Sequence, residues 1–361
     1  MNCKICNYNN RSNASFCANC GQALAIDNLQ SGATGGTLSL KTGQSKYINS
    51  IYTPTQGAWI FFKAIGFVMG LQILAGFVVA FFAVGADVSD ATDLLQNMSV
   101  QLIIMFFMQV AFFVAVWSSG SRPLGLIRHR LYLNYRLVLL GVAMWAVAFV
   151  AFLSTNVYFG AFLEHIGYES SGLVMDTVGD RILGAIVIVL VAPICEELVF
   201  RFGLLEGLRE SGYVKAILFS SLAFALMHMN PEQTFYQFLL GVVCGIAVYK
   251  SKSILMGSII HACNNLFSLF VQDWVWFNDT LVDLFNQGWF VIVAIALFVL
   301  GGLVIVQLGK LCSKYGNPHV EPALSNPRVS YHSQSTAVLV YSITLAFCIG
   351  MWVLAFVLAV F

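Results

Sequence analysis

Nine apolar stretches separated by short polar segments occupy most of the chain: 58–84, 99–118, 136–159, 181–208, 215–229, 234–249, 254–271, 289–309 and 337–360. A helix rises about 1.5 Å per residue and needs about 20 apolar residues to cross a bilayer core, so the pattern predicts nine transmembrane helices. Two of them, 215–229 and 234–249, are short, and short helices belong where they line a protein interior or a cavity. Ahead of the first stretch the pattern changes. Residues 22–57 mix Gly, Ser, Thr and Asn with few apolar runs, which predicts a flexible linker. Residues 310–336 form a polar loop containing Pro318, Pro322 and Pro327, so the helix of 337–361 is expected as an addition to a multi-pass core at 58–309.

Composition fixes the class. Hydrophobic residues make up 59% of the chain and charged residues only 10%, with a mean hydropathy of +0.81. These values describe an all-α polytopic membrane protein, an eight-helix core plus one C-terminal transmembrane helix, in contact with lipid throughout. A net charge of +1 supplies no basic surface for phosphates, so no nucleic-acid partner is expected. The charges are distributed unevenly. If the N-terminus stays inside, the inner segments carry Lys4, Arg11, Lys41, Lys46, Arg122, Arg128, Arg130, Arg136, Arg209, Lys215, Lys250, Lys252, Lys310, Lys314 and Arg328. The outer loops hold Arg181 alone beside nine acids, among them Asp87, Glu164 and Asp283. The positive-inside rule therefore predicts a cytoplasmic N-terminus in a cell-membrane protein. The first residues lack the charged start and apolar core of a secretory signal peptide, which agrees.

Four of the nine cysteines fall in the first twenty residues as Cys3, Cys6, Cys17 and Cys20, a CxxC…CxxC pair. Two such turns present four thiolates to a tetrahedral zinc ion, so residues 1–21 are expected to form a zinc ribbon. A closed shell of four thiolates leaves no position for substrate, which makes the ribbon structural, or a docking element for a cytosolic partner. Cys195, Cys244, Cys263, Cys312 and Cys348 lie in or beside apolar segments and are expected as small buried hydrophobes.

The chemistry sits on three apolar segments within 181–271. One carries Glu196, Glu197 and Arg201, the next Phe224 and His228, the third His261 and Asn265. Charge at the centre of a bilayer is costly, about 2.5–3.5 kcal/mol on insertion scales, and usually marks a pathway or a reaction site. A hairpin turning near Ser211 and Gly212 places Glu197 and His228 at similar depth, and His261 and Asn265 enter from Lys252 toward the same level. A spacing of four aligns Glu197 with Arg201 for an ion pair and leaves Glu196, rotated by about 100°, free for another partner. A carboxylate beside an imidazole can take a proton from water, and a second imidazole with an amide can hydrogen-bond a developing oxyanion. Glu196, His228 and His261 could also hold a catalytic metal with one position open. The same cluster would serve a transporter or channel as an ion path, or a scaffold as structural contacts; Pro193 can kink its span, but no repeat symmetry accompanies it.

In this order EExxxR, FxxxH and HxxxN resemble the motifs of the CPBP intramembrane proteases, which include type II CAAX prenyl endopeptidases and bacterial Abi proteins. The resemblance implies an eight-helix protease core and hydrolysis of peptide or protein substrates within the membrane. Glu196 with His228 would activate the water, His261 with Asn265 would hold the oxyanion, and Glu197 paired to Arg201 would shape the site. Both a metalloprotease and a metal-free glutamate protease are compatible with it. The four-cysteine module resembles the short zinc ribbons that begin many bacterial membrane proteins.

Overall fold

The computed structural model describes residues 52–83, 97–119, 127–128, 130–168, 175, 177–271, 280–281, 283–318 and 331–360. The expected zinc ligands Cys3, Cys6, Cys17 and Cys20 and the linker up to residue 51 lie outside these residues. Among the described residues the fold is built from nine helices of 15 residues or more: α1 (Pro54–Ala83), α2 (Met98–Trp117), α3 (Tyr135–His165), α4 (Val178–Leu208), α5 (Tyr213–Met227), α6 (Pro231–Ser251), α7 (Ile254–Val271), α8 (Phe290–Tyr315) and α9 (Tyr331–Val360). No strand occurs among the described residues. Eight of the helices are long and apolar enough to cross a membrane, so the chain is an all-α, multi-pass membrane protein.

The ninth expected span needs correction. The stretch at 215–229 folds as α5, only 15 residues long, which reaches about 22 Å against the roughly 30 Å of a hydrocarbon core. Its neighbour is longer than the apolar run suggested, because Asn230 caps α6 through its side chain and Pro231 opens it, adding a polar first turn. The α4 to α5 connection turns at Gly212, whose φ of +108° suits a residue without Cβ.

Starts of other helices follow the same local rule. Asn97, Asn134 and Thr177 accept from the backbone N–H of Val100, Leu137 and Asp180, so α2, α3 and α4 begin where a side-chain oxygen replaces a missing carbonyl. At the end of α2, Lys63 donates to Ser118 O (3.1 Å) and Ser119 Oγ (3.2 Å), placing a cation on the free carbonyls of a helix C-terminus.

α4 is the most enclosed of the spans and α9 the least. Packing around α4 uses small residues, since lipid offers apolar side chains no reason to prefer protein. A Cβ on Gly203 would meet Ile60 Cγ2 at 2.8 Å, and one on Gly207 would meet Gly57 Cα at 2.9 Å, so α1 crosses α4 backbone to backbone. The last helix is joined to this assembly by polar as well as apolar contacts. Tyr341 Oη donates to Phe219 O on α5 (2.9 Å), and Trp352 Nε1 donates to Thr234 Oγ1 on α6 (2.7 Å).

Cations collect at one end of the bundle. Arg130 and Arg209 both reach Glu206 Oε1, at 3.0 and 2.8 Å, Arg209 lies over the Tyr249 ring and Lys250 over Tyr213, and Arg136 covers Tyr315. Burial and the neighbouring guanidinium groups of Arg209 and Arg130 lower the proton affinity of Lys252 at this end.

Candidate functional site

The site begins with an irregularity in α4. Residues Ala185–Val191 and Leu198–Leu205 are wound as π-helix, with an α-helical piece, Ala192–Glu197, between them. Wider turns of this kind are frequent at functional sites because they re-aim side chains without breaking the helix. Here a local cause is visible. Pro193 has no N–H and would crowd the preceding turn of a regular helix, and the N–H of Ala192 reaches back five residues to Val187 O.

This winding turns Glu196, Glu197 and Arg201 toward α2, α5, α6 and α7. Glu197 and Arg201 are fully buried and pair at 2.8 Å. Arg201 Nη2 also donates to Gly241 O on α6 (3.1 Å), and its guanidinium stacks on the Phe224 ring, 4.4 Å from the centroid. Glu197 Oε2 rests against the Cα of Gly257 on α7, where an added Cβ would lie 2.1 Å from it. The pair is thus enclosed by the backbone of two further helices, while Glu197 Oε2 and Arg201 Nε are buried without a hydrogen-bond partner.

Glu196 faces the other way. Gln109 Nε2, from the middle of α2, donates to its Oε1 at 3.0 Å. Its Oε2 stands 4.0 Å from His228 Nε2 and 3.9 Å from His261 Nε2, and no protein group hydrogen-bonds to it. His228 caps the end of α5, just before Met229 takes a φ of +50° and the chain reverses into α6. The shortness of α5 is therefore what sets His228 opposite Glu196. His228 Nδ1 lies 2.8 Å from Phe224 O. A carbonyl only accepts, so Nδ1 carries hydrogen and, in the neutral ring, Nε2 presents a lone pair toward Glu196. His261 directs Nδ1 toward Glu197 Oε1, at 3.9 Å. The His228 side chain is 19% exposed and that of His261 2%, which puts the open side of the cluster at His228.

Phe224 is more than packing. Its ring stands edge-on to both His228 (4.8 Å between centroids) and His261 (5.4 Å), with Arg201 over its face. Two contributors have no counterpart in the sequence reading. Gln109 lies 87 residues before Glu196, and its only signal is an amide in the middle of an apolar helix; Gly257 is signalled by a small residue four positions before His261.

Asn265 is placed differently from its neighbours on α7. Its Nδ2 donates to Ile188 O in the first π stretch of α4 at 2.8 Å, one turn away from the histidines. The sequence reading put this amide at the oxyanion with His261.

The separations of 3.9–4.0 Å are too long for direct hydrogen bonds. They match atoms that share a third: a water oxygen about 2.8 Å from two partners about 90° apart sets them about 4 Å from each other. A tetrahedral zinc ion, bonded at about 2.0–2.1 Å, would draw its ligands to about 3.4 Å of one another. Two imidazole nitrogens and a carboxylate oxygen suit zinc in kind, but they stand wider than it requires. Among the described residues no group of three His, Cys, Asp or Glu side chains meets the spacing of a metal site.

Comparison with curated proteins and with solved structures finds no match. A family model described as Rce1-like, Type II CAAX prenyl endopeptidase Rce1-like, matches residues 178–267, the segment from the first turn of α4 into the last turns of α7 that carries Glu196, Glu197, Arg201, His228 and His261.

Proposed function

We propose that the protein is an intramembrane endopeptidase that hydrolyses a peptide bond with an activated water, acting on a CAAX-like or other membrane-associated substrate. The observation that carries this reading is the placement of one unpartnered carboxylate oxygen, Glu196 Oε2, 3.9–4.0 Å from the Nε2 atoms of His228 and His261. The family match over the same residues supports a protease.

In this mechanism a water sits between Glu196 Oε2 and His228 Nε2 and donates a hydrogen bond to each, so that its two lone pairs point away from both. Gln109 fixes the carboxylate through Oε1. As the water oxygen attacks the substrate carbonyl carbon, Glu196 takes one of its protons, and the C=O electrons move onto oxygen. His261, with Nε2 protonated, donates to that oxyanion. Collapse breaks the C–N bond, and Glu196 returns the proton to the leaving nitrogen. Glu197 and Arg201 touch no reacting atom; they hold α4 and the Phe224 ring in place. No step passes through a metal ion. The zinc of the N-terminal ribbon is proposed as structural, with the ribbon and the cationic end of the bundle facing the cytosol.

The test is cleavage of a fluorogenic membrane peptide by the purified full-length protein in liposomes. Glu196→Gln and His228→Ala are expected to lower kcat at least about 100-fold, the usual contribution of a general base. Cleavage equal to wild type in both variants overturns the reading, and an ion flux sensitive to the same substitutions would establish transport instead. Chelation, in protein whose four ribbon cysteines are changed to serine, is expected to leave the rate unchanged.

A further inference from the structure

We propose that Asn265 is a positioning residue: its carboxamide replaces the backbone N–H that Pro193 lacks and so holds the winding of α4 that presents Glu196. In the π stretch Ala185–Val191 the pairing runs from a carbonyl to the N–H five residues ahead rather than four. Ala192 N–H serves Val187 O. The next carbonyl is Ile188 O, and five residues ahead of it stands Pro193. Four residues ahead stands Ala192, whose N–H is already used. Ile188 O thus has no backbone donor, in a helix whose surroundings offer little water. Asn265 Nδ2 occupies that position at 2.8 Å.

The contact belongs to a seam between α4 and α7 that runs antiparallel. Asn265 meets Ile188, Ser258 Oγ reaches Pro193 O (3.4 Å), and Gly257 meets Glu197. His261 lies between these points, opposite both glutamates. Without the amide, the carbonyl regains a partner only if the helix rewinds toward regular α pairing. That rewinding rotates Glu196, which follows five residues after the end of the π stretch. The effect on catalysis is indirect, through the distance from Glu196 Oε2 to His228 Nε2.

The activity readout rests on the protease reading above; the exchange readout does not. The experiment compares Asn265→Ala, Asn265→Asp, Pro193→Ala and the double variant Pro193→Ala with Asn265→Ala, all as full-length protein in detergent micelles or liposomes. Alanine at 193 restores an N–H five residues after Ile188, so it does the work of the missing amide. Asn265→Ala is expected to lower kcat about 10- to 100-fold with KM changed less than about 3-fold, as a misplacement of about 1 Å would do. Backbone hydrogen exchange over residues 185–197 should become faster, and Asn265→Asp, which keeps the size and loses the donor, should behave alike. The double variant should recover both properties to within about 5-fold of Pro193→Ala alone. If Asn265→Ala fails to fold, recovery of folded protein by the second substitution supports the proposal equally, and no recovery overturns it. Loss of activity with unaltered exchange, not relieved by Pro193→Ala, would place Asn265 on the substrate and overturn the proposal. If wild type cleaves nothing, the protease reading fails, while the exchange data still decide the role of Asn265.

Discussion

Replacing Gly257 by alanine puts a carbon where Glu197 Oε2 already lies. The added Cβ would stand 2.1 Å from that oxygen, 2.8 Å from Glu197 Cδ and 2.9 Å from Val248 Cγ2. Packed carbon and oxygen atoms do not approach within about 3 Å, so the carboxylate or α7 has to give by about 1 Å. Either movement pulls at the 2.8 Å pair between Glu197 and Arg201, both without access to solvent. Stranding one member of a buried pair costs about 3–5 kcal/mol, and overpacking alone about 1–3 kcal/mol. The gain in helix propensity from glycine to alanine offsets about 1 kcal/mol. A net loss of about 2–4 kcal/mol follows. Thermal unfolding of the purified protein in detergent, followed by intrinsic fluorescence, measures it. Gly66→Ala on α1 is the control: nothing lies within 4 Å of its added Cβ, so only the propensity gain should appear. If Gly257→Ala melts no lower than Gly66→Ala and cleaves at the wild-type rate, the account of a carboxylate seated against the α7 backbone is wrong.

Removing the Gln109 amide with Gln109→Leu takes away the 3.0 Å hydrogen bond to Glu196 Oε1. Hydrogen bonds to charged groups contribute about 1.5–3 kcal/mol, so kcat is expected to fall about 10- to 100-fold in the peptide assay while KM stays near wild type. Phe224→Leu keeps an apolar group but loses the face under Arg201 and the edges against both histidines. It should lower stability by about 1–3 kcal/mol, read as a drop in Tm, whereas Phe219→Leu on the exposed side of the same helix should change it little.

The helices and the cluster were legible in the sequence to different degrees, for physical reasons. Apolar runs locate spans because lipid selects for them residue by residue. They say less about length where one end of a helix stops inside the bundle, as α5 does at the half-buried His228, since that end then does not have to reach the membrane surface. The ion pair of Glu197 and Arg201 follows from a spacing of four, which survives the change from α to π winding. The winding itself is set by Pro193 acting with a side chain 72 positions later, and no local pattern records such a pairing. Gln109 was hidden for the same reason: a single amide on a distant helix has no partner until the bundle is assembled. A further feature absent from the sequence pattern concerns Arg130, expected as a cation of an inner segment. It is buried, sharing Glu206 with Arg209, because a carboxylate at the end of α4 pairs with both guanidinium groups through one oxygen.

The stripe of α7 formed by Gly257, Ser258, His261 and Asn265 concentrates three duties on a band of helix surface little wider than one side chain: close approach, hydrogen bonding to the opposite backbone, and placement of the His261 ring beside both glutamates. Because those duties cannot be separated by changing one residue at a time, this band should tolerate fewer replacements than any other on the molecule.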